Sequence, residues 1–378
     1  MNRNICVVCD SSLLNDIYHL TDFPSYMGVT EQDPETDKRY SQDWQFCNQC
    51  AGVQLKQPIP LEVLYANNHH NGPIGRVWLN HHQKFYSFIR KHSVGSSSIL
   101  EIGAGDGYLA RLVTEKTTKM KYTVVEPSPT FKNPKVNIVR DVIENRLDEV
   151  KNVDVVVHSH VLEHIYQPNV FFQNISESMD IGKVMLMSIP NMEKILKGFG
   201  SNSLNFEHTY FLDVNAIKFW SATNGMEIES VEYYLDHSIF LKLRKTESTC
   251  KKQIEFPRRD CEPAKLFVEM WNQIKEFVEE SLKVIETNNE NLFLFGAHIF
   301  SQGFLAQGLP EFLVKGVLDN DPAKQDKRLY GTNLKVMSPI VLRYETTPLV
   351  MLSASHYHDE VKKQILGINS NSLILELR

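Results

Sequence analysis

The segment Glu101-Ile102-Gly103-Ala104-Gly105-Asp106-Gly107 follows the apolar run Ser98-Ile99-Leu100 directly and leads into a helical pattern. Glycines at every second position between a strand and a helix permit a sharp turn that bares backbone N–H groups, so a nucleotide-like ligand can approach the main chain. The turn therefore calls for a parallel α/β sheet with a ligand at its edge. The next apolar strand, Lys121-Tyr122-Thr123-Val124-Val125, ends in Glu126 about 20 residues on, where a carboxylate accepts hydrogen bonds from two ribose hydroxyls.

The leading acid distinguishes cofactors. A dinucleotide site uses G-x-G-x-x-G, whereas Glu101-x-Gly103-x-Gly105-x-Gly107 puts a carboxylate where a cationic amino-acid tail could be bound. This turn resembles motif I of class I S-adenosylmethionine (SAM) methyltransferases. Asp154-Val155-Val156-Val157-His158-Ser159-His160-Val161-Leu162-Glu163-His164 is similar to the same family's fourth strand with its Leu-Glu-His ending.

Strands near 98–103, 121–126, 136–139, 153–158 and 182–189, with helices near 107–118 and 168–179, alternate as in a doubly wound parallel sheet. A helix over 214–224 precedes two strands, 226–231 and 238–243, joined without a helix, like the antiparallel edge hairpin of class I methyltransferases. Ligands of such sheets sit outside the strands' carboxyl ends. That rule gathers Glu101, Gly103, Gly105, Gly107, Glu126, Asp141, Ser159 and His160 around one cofactor pocket. Asp141 could reach an adenine amine or simply cap a turn.

Cys6-x-x-Cys9 and Cys47-x-x-Cys50 are paired, while Cys250 and Cys261 stand apart. Two such pairs complete a closed four-thiolate zinc site, which is structural because no position stays open for water. The polar segment 1–62 cannot bury enough core to fold alone, so the metal supplies its stability. A helix over 74–91 follows, carrying Val77, Trp78, His81, Phe85, Phe88 and Ile89. The polar run 67–73 before it, with His69 and His70, is a candidate lid; no role is assigned to those two or to His81 and His82.

The net charge of −6 gives no general attraction to nucleic acid or anionic membrane. No apolar run reaches 18 residues and the N-terminus lacks a signal peptide's apolar core, so the expectation is a cytoplasmic protein without membrane or nucleic-acid partners, monomeric or homodimeric.

The chemistry is expected in Asn205-Phe206-Glu207-His208-Thr209-Tyr210-Phe211, where a Glu beside a His supplies a base near neutral pH, the carboxylate raising or orienting the imidazole. His164 joins Glu207 and His208 as a catalytic candidate. Beyond it lie a long amphipathic helix over 263–287 and a second strand–turn–helix at Phe295-Gly296-Ala297-His298. Strands near 312–318, 332–336, 348–353 and 371–377 complete a smaller α/β unit, with Asp319 ending its second strand as Glu126 does in the first. The chain thus divides into 1–62, a zinc-binding domain; 63–247, a class I SAM-dependent methyltransferase domain; and 248–378, a C-terminal Rossmann-like α/β domain.

This order of parts, with Cys6/Cys9/Cys47/Cys50, Glu207-His208, Tyr210 and Asp319-Asn320-Asp321-Pro322, resembles the nucleotide-sugar C-methyltransferases of the deoxysugar type. The resemblance implies a nucleotide-linked keto-sugar enclosed by the zinc segment and the C-terminal domain. It also implies that His208 removes a proton from carbon next to a ketone, with Glu207 orienting it, to form an enolate. Members carry a tyrosine two before the Glu, where this chain has Asn205, and a Tyr-x-Tyr-x-Ser-like run where 65–71 differs. Two other readings stand beside this one: an O-methyltransferase with His208 deprotonating a hydroxyl, and a zinc-bearing scaffold with a vestigial methyltransferase domain.

Overall fold

The computed structural model describes residues 2–65, 76–117, 120–198, 200–247, 254–259, 261–288, 291–353 and 357–377. The expected lid with His69 and His70, and Cys250, lie outside them.

The first strands are β1 (Leu14–Pro24), β2 (Val29–Thr30), β3 (Arg39–Cys47) and β4 (Val53–Leu55), of which β1, β3 and β4 form an antiparallel sheet. The polar composition of this segment concealed these strands. Phe23, Trp44 and Leu55 are fully buried, because a distant element covers one face of the sheet: the Trp44 ring lies 4.9 Å from that of Phe267. Two short-range helices follow, α1 (Leu61–Leu64) and α2 (Arg76–His92).

The central sheet is built from β5 (Ser98–Ile102), α3 (Tyr108–Lys116), β6 (Lys121–Val125), β7 (Val136–Val139), α4 (Leu147–Lys151), β8 (Val155–Ser159), α5 (Pro168–Ser178) and β9 (Val184–Pro190). After α6 (Met192–Lys197) and α7 (Val214–Thr223) come β10 (Met226–Tyr234) and β11 (Ser238–Lys245). The order is β10-β11-β9-β8-β5-β6-β7, with β11 antiparallel to both its neighbours. Counted along the sheet in chain order this is 3-2-1-4-5-7-6, since the hairpin's second strand inserts beside β9. The chain leaves β5 toward β6 on one side and later returns to its other side with β8, so the switch point lies at the carboxyl ends of β5 and β8. All five residues of β5 and all seven of β9 are buried, as expected of strands covered on both faces.

The long helix α8 (Pro263–Asn288) buries Phe267, Met270, Trp271, Ile274 and Val278 at helical spacing. It packs on β1, with the Tyr18 ring 6.0 Å from Phe267 and 6.2 Å from Trp271. The elements that follow are β12 (Leu292–Phe295), α9 (Ile299–Ala306), β13 (Val314–Leu318), β14 (Arg328–Leu329), β15 (Val336–Met337), β16 (Leu349–Leu352), α10 (His358–Ile368) and β17 (Leu373–Glu376), and all of these strands except β14 form a five-stranded parallel sheet in the order β15-β13-β12-β16-β17.

The strand expected near 332–336 shrinks to β15. Gly331 takes a positive φ of 80°, Leu329 N–H donates to the Leu334 carbonyl at 2.9 Å, and the resulting arm sends β14 out to pair with β2. Arg328 clamps that pairing through both nitrogens on Asp37, at 2.6 and 2.7 Å. Among the described residues no helix is long and apolar enough to cross a membrane.

Candidate active site

β5 delivers its glycine turn to the switch point. Gly103 and Gly107 both have φ of 71°, and a Cβ added to them would lie 2.5 Å from Val161 and 2.3 Å from the Phe131 ring. Only glycine fits either place. Gly105 N–H donates to Glu126 Oε2 at 3.2 Å, and Ser128 N–H donates to Oε1 at 3.0 Å, so Glu126 stands at the turn where the sequence put it. Glu101 instead points into the protein. It is 2% exposed and accepts the Tyr122 hydroxyl at 2.8 Å; burial pushes its carboxyl up to about 8, which keeps it protonated and neutral at pH 7. Asp141 is occupied locally, by Asn145 at 2.9 Å and Arg146 at 2.9 Å, which draw it below the ordinary carboxylate range.

At the end of β8, Ser159 is half-buried and His160 takes a left-handed φ of 52°. Both nitrogens of the His160 ring are engaged: Nδ1 meets Glu163 Oε1 at 2.9 Å and Nε2 meets Ser238 Oγ at 2.9 Å. Glu163 is fully buried, yet His160 holds its carboxyl down to about 2 against the desolvation that would raise it. The next residue, His164, stacks edge-on against His208 with ring centroids 4.7 Å apart, and its Nδ1 lies 3.9 Å from Glu207 Oε2.

The loop carrying Glu207 and His208 is fixed by its own sequence and by the cysteine segment. Asn205 Oδ1 accepts the N–H groups of Glu207 at 2.8 Å and His208 at 3.0 Å, a tight side-chain turn at the position where the resembled family carries a tyrosine. Leu55 N–H donates to the Thr209 carbonyl and Phe211 N–H to the Val53 carbonyl, both at 2.8 Å, so the loop runs as an added strand along β4. Arg3 reinforces the join, donating to the Thr209 carbonyl at 2.9 Å and the Tyr166 carbonyl at 2.8 Å.

His208 Nδ1–H faces the carbonyls of Asn202 at 3.1 Å and Ser203 at 3.2 Å, leaving Nε2 as the acceptor. Glu207 does raise this imidazole, as Glu163 does, but burial, then His164, outweigh both and lower it to about 4. Sequence reasoning missed the ring of groups around Glu207. Its charge adds to burial in raising Tyr26, Tyr65 and Tyr166, the last to about 12, and reaches His298 from the C-terminal sheet. Asp319 braces its own turn, accepting Ala297 N–H at 2.9 Å as Glu126 accepts Gly105.

The four cysteines converge. Cys6 and Cys50 sulfurs are 3.6 Å apart, Cys9 and Cys47 likewise, and all four sulfurs lie within 4.8 Å of one another. A disulfide would bring two sulfurs to about 2 Å. A tetrahedral ion with Zn–S of about 2.3 Å sets them about 3.8 Å apart. The two pairs also repeat one backbone pattern. Asp10 N–H donates to the Cys6 carbonyl at 2.9 Å and Ala51 N–H to that of Cys47 at 2.8 Å, both donors at positive φ, while Cys6 and Cys47 N–H donate to the carbonyls of Ser11 and Gly52. The buried guanidinium of Arg259, bonded to Asp213 at 2.9 and 3.2 Å, stands beside Cys50, where it offsets thiolate charge. The donor set fits zinc. Cys261 takes no part in the cluster.

Residues 80–231 match the family model described as a methyltransferase domain. A protein of Mycolicibacterium smegmatis described as "Probable S-adenosylmethionine-dependent methyltransferase" is 27% identical over 158 residues, covering 40% of this chain and 60% of that protein. The match thus spans less than two thirds of that relative's length. Among solved structures, a protein of Listeria monocytogenes described as "putative S-adenosylmethionine dependent methyltransferase" is 16% identical, with 44% of this chain and 99% of that one covered and a TM-score of 0.36. An O-methyltransferase family protein from Burkholderia thailandensis is 10% identical over 51% of this chain and 65% of that one, with a TM-score of 0.39. The fold itself rests on the strand order. With β11 inserted antiparallel beside β9 and a glycine turn at the switch point, the seven-stranded sheet has the class I S-adenosylmethionine methyltransferase fold.

Proposed function

We propose that this chain is a SAM-dependent methyltransferase that methylates a nucleotide-activated sugar at the carbon next to a ketone, with His208 as the base. In this reading 1–62 is a zinc-binding domain, 63–247 the methyltransferase domain and 248–378 a C-terminal Rossmann-like domain that encloses the sugar nucleotide. The cradle at Gly103, Gly105 and Gly107, with Glu126 beside it, fits a SAM molecule. When bound, SAM supplies a methyl group on a positively charged sulfur. Cys6, Cys9, Cys47 and Cys50 would hold the zinc, whose part is structural.

The observation that carries the reading is the fixed tautomer of His208. Two carbonyls hold its Nδ1–H, so Nε2 offers a lone pair, and the lowered pKa keeps that lone pair free at neutral pH. His208 takes the proton from carbon, and the bonding pair moves toward the ketone oxygen. His164 and the phenols around Glu207 are the groups available to that oxygen. Glu207 Oε2 lies 3.9 Å from His164 Nδ1, and the His164 ring stacks on His208, so the role of Glu207 is to position the histidine pair.

The test is incubation with isotope-labelled SAM and a panel of nucleotide-sugars, not restricted to 4-keto sugars, in deuterated solvent with mass detection. The expected result is a methylated sugar nucleotide together with solvent exchange at the carbon beside the carbonyl, both lost in His208→Asn. Methylation without exchange would transfer the reading to an oxygen acceptor. Absence of SAM binding by calorimetry would leave only a scaffold.

A further inference from the structure

A second group of histidines meets the cluster of His164 and His208 through Glu163, which bonds His160 and lies within 4.8 Å of both. His81 on α2, His160 at the end of β8 and His237 in the turn before β11 bring one nitrogen each within 4.8 Å of the others. Their ring centroids are 5.2, 5.4 and 5.6 Å apart. Three imidazoles bound to one ion at about 2.0–2.1 Å, at near-tetrahedral angles, place their centroids about 5 Å apart. The ring spacing is therefore that of a ligand triad with little adjustment. We propose that His81, His160 and His237 form a second metal site, taking a divalent ion of the zinc class through three imidazole nitrogens.

The surroundings support the assignment independently. His160 donates Nδ1–H to the fully buried Glu163, which fixes Nε2 as the free lone pair; a carboxylate behind a histidine is the usual outer support of a metal ligand. Nε2 of His160 and Nδ1 of His237 converge on one point, Ser238 Oγ, at 2.9 and 2.5 Å. The hydroxyl donates to one of these nitrogens and accepts from the other, and rotation of this short side chain opens the point to an ion. His81 is fully buried, with Nε2 on Ser188 Oγ at 2.9 Å and Nδ1 unpartnered among the described residues. The Trp78 ring walls the cluster, 4.8 Å from His160 and 4.5 Å from His237.

Three protein ligands leave one coordination position. A cavity of about 330 Å³, lined by Val77, Leu235, Asp236 and His237, adjoins it. Water or an oxygen of a small ligand would complete the shell there, as in open zinc sites. The site joins α2 to the β10–β11 hairpin and is separate from the four cysteines, so the two ions differ in how they are released.

The experiment counts zinc in the full-length chain, purified and then dialysed against metal-free buffer. The expected count is two equivalents per chain: one freed by an organomercurial that titrates thiolates, the other retained until acid or a strong chelator is added. His237→Ala, in the partly exposed turn, and His81→Asn should each hold one equivalent, the thiol-released one, with unchanged circular dichroism. Should His81→Asn fail to fold, His237→Ala decides. One equivalent or fewer in the parent chain, or two retained in His237→Ala, overturns the site.

Discussion

Asn205 shows how one side chain sets the reach of its neighbours. Its Oδ1 takes the N–H groups of Glu207 and His208 at once, and losing that acceptor costs about 1–3 kcal/mol for each donor left buried. Asn205→Ala is expected to lower kcat about tenfold or more and leave SAM affinity unchanged, measured by turnover and calorimetry side by side. His208 must be neutral to accept a proton. Because burial holds it near 4, the acid limb of kcat/KM should fall through about pH 4, where an ordinary imidazole would fall through about 6.5. His208→Gln should remove about 10²–10⁴-fold of the rate across the profile. Gly107 tests the cofactor side. A methyl there meets the Phe131 ring at 2.3 Å on a backbone of φ 71°, so Gly107→Ala should weaken SAM by about tenfold or more at a cost of about 1–3 kcal/mol, read by calorimetry.

Among the elements, the join between β4 and the loop at 205–211 ties the cysteine cluster to the Glu207–His208 loop. Cys47 ends β3, and β3 carries β4. Removing the metal, by chelation or by Cys47→Ser, is expected to raise amide exchange at Leu55 and Phe211 and to cut turnover, while calorimetric SAM binding persists. Retained protection at both amides in metal-free protein would break this link.

Legibility in the sequence followed range. The glycine turn, the C-x-x-C pairs and the α8 stripe are set by neighbours within a few residues, so they could be read directly. β1, β3 and β14 were invisible because their apolar faces or pairing edges are completed from far along the chain, Trp44 by Phe267 and Val29 by Leu329. The Glu207–His208 dipeptide was visible as a pair. Its lowered pKa was not, because burial arises only once β8, β4 and α9 close around it. His81, His160 and His237 carry no spacing signal, since three separate elements bring them together.

Across the whole molecule, buried titratable groups make stability depend on pH in two directions. His158, His208 and His298 are each held near 4, mainly by burial, while unfolded imidazoles titrate near 6.5. Between those values the unfolded chain binds more protons, so their contribution is full above about 6.5 and is lost as the pH falls toward 4. Glu101, raised to about 8, acts oppositely: its contribution is full below about 4.5 and lost as the pH rises through 8. The urea midpoint is therefore expected to climb from pH 4.5 to 6.5, where these three, joined by His81 and His82, which burial also lowers, oppose Glu101, and to drift down toward pH 8. Glu101→Gln should flatten the upper drift. A midpoint independent of pH between 4.5 and 6.5 would contradict the burial of these histidines.

The added strand along β4 bears on how such chains can be recombined. The cysteine segment contributes the Val53 carbonyl and the Leu55 N–H, the loop contributes Phe211 N–H and the Thr209 carbonyl, and Arg3 spans both. A chimera that exchanges the first sixty residues for a relative's would therefore inherit a foreign edge beneath its own Glu207–His208 loop. Segment and loop are one unit of inheritance although about 150 residues of sheet separate them. Grafts that move them together should turn over, and grafts that cut between them should bind the methyl donor and stall.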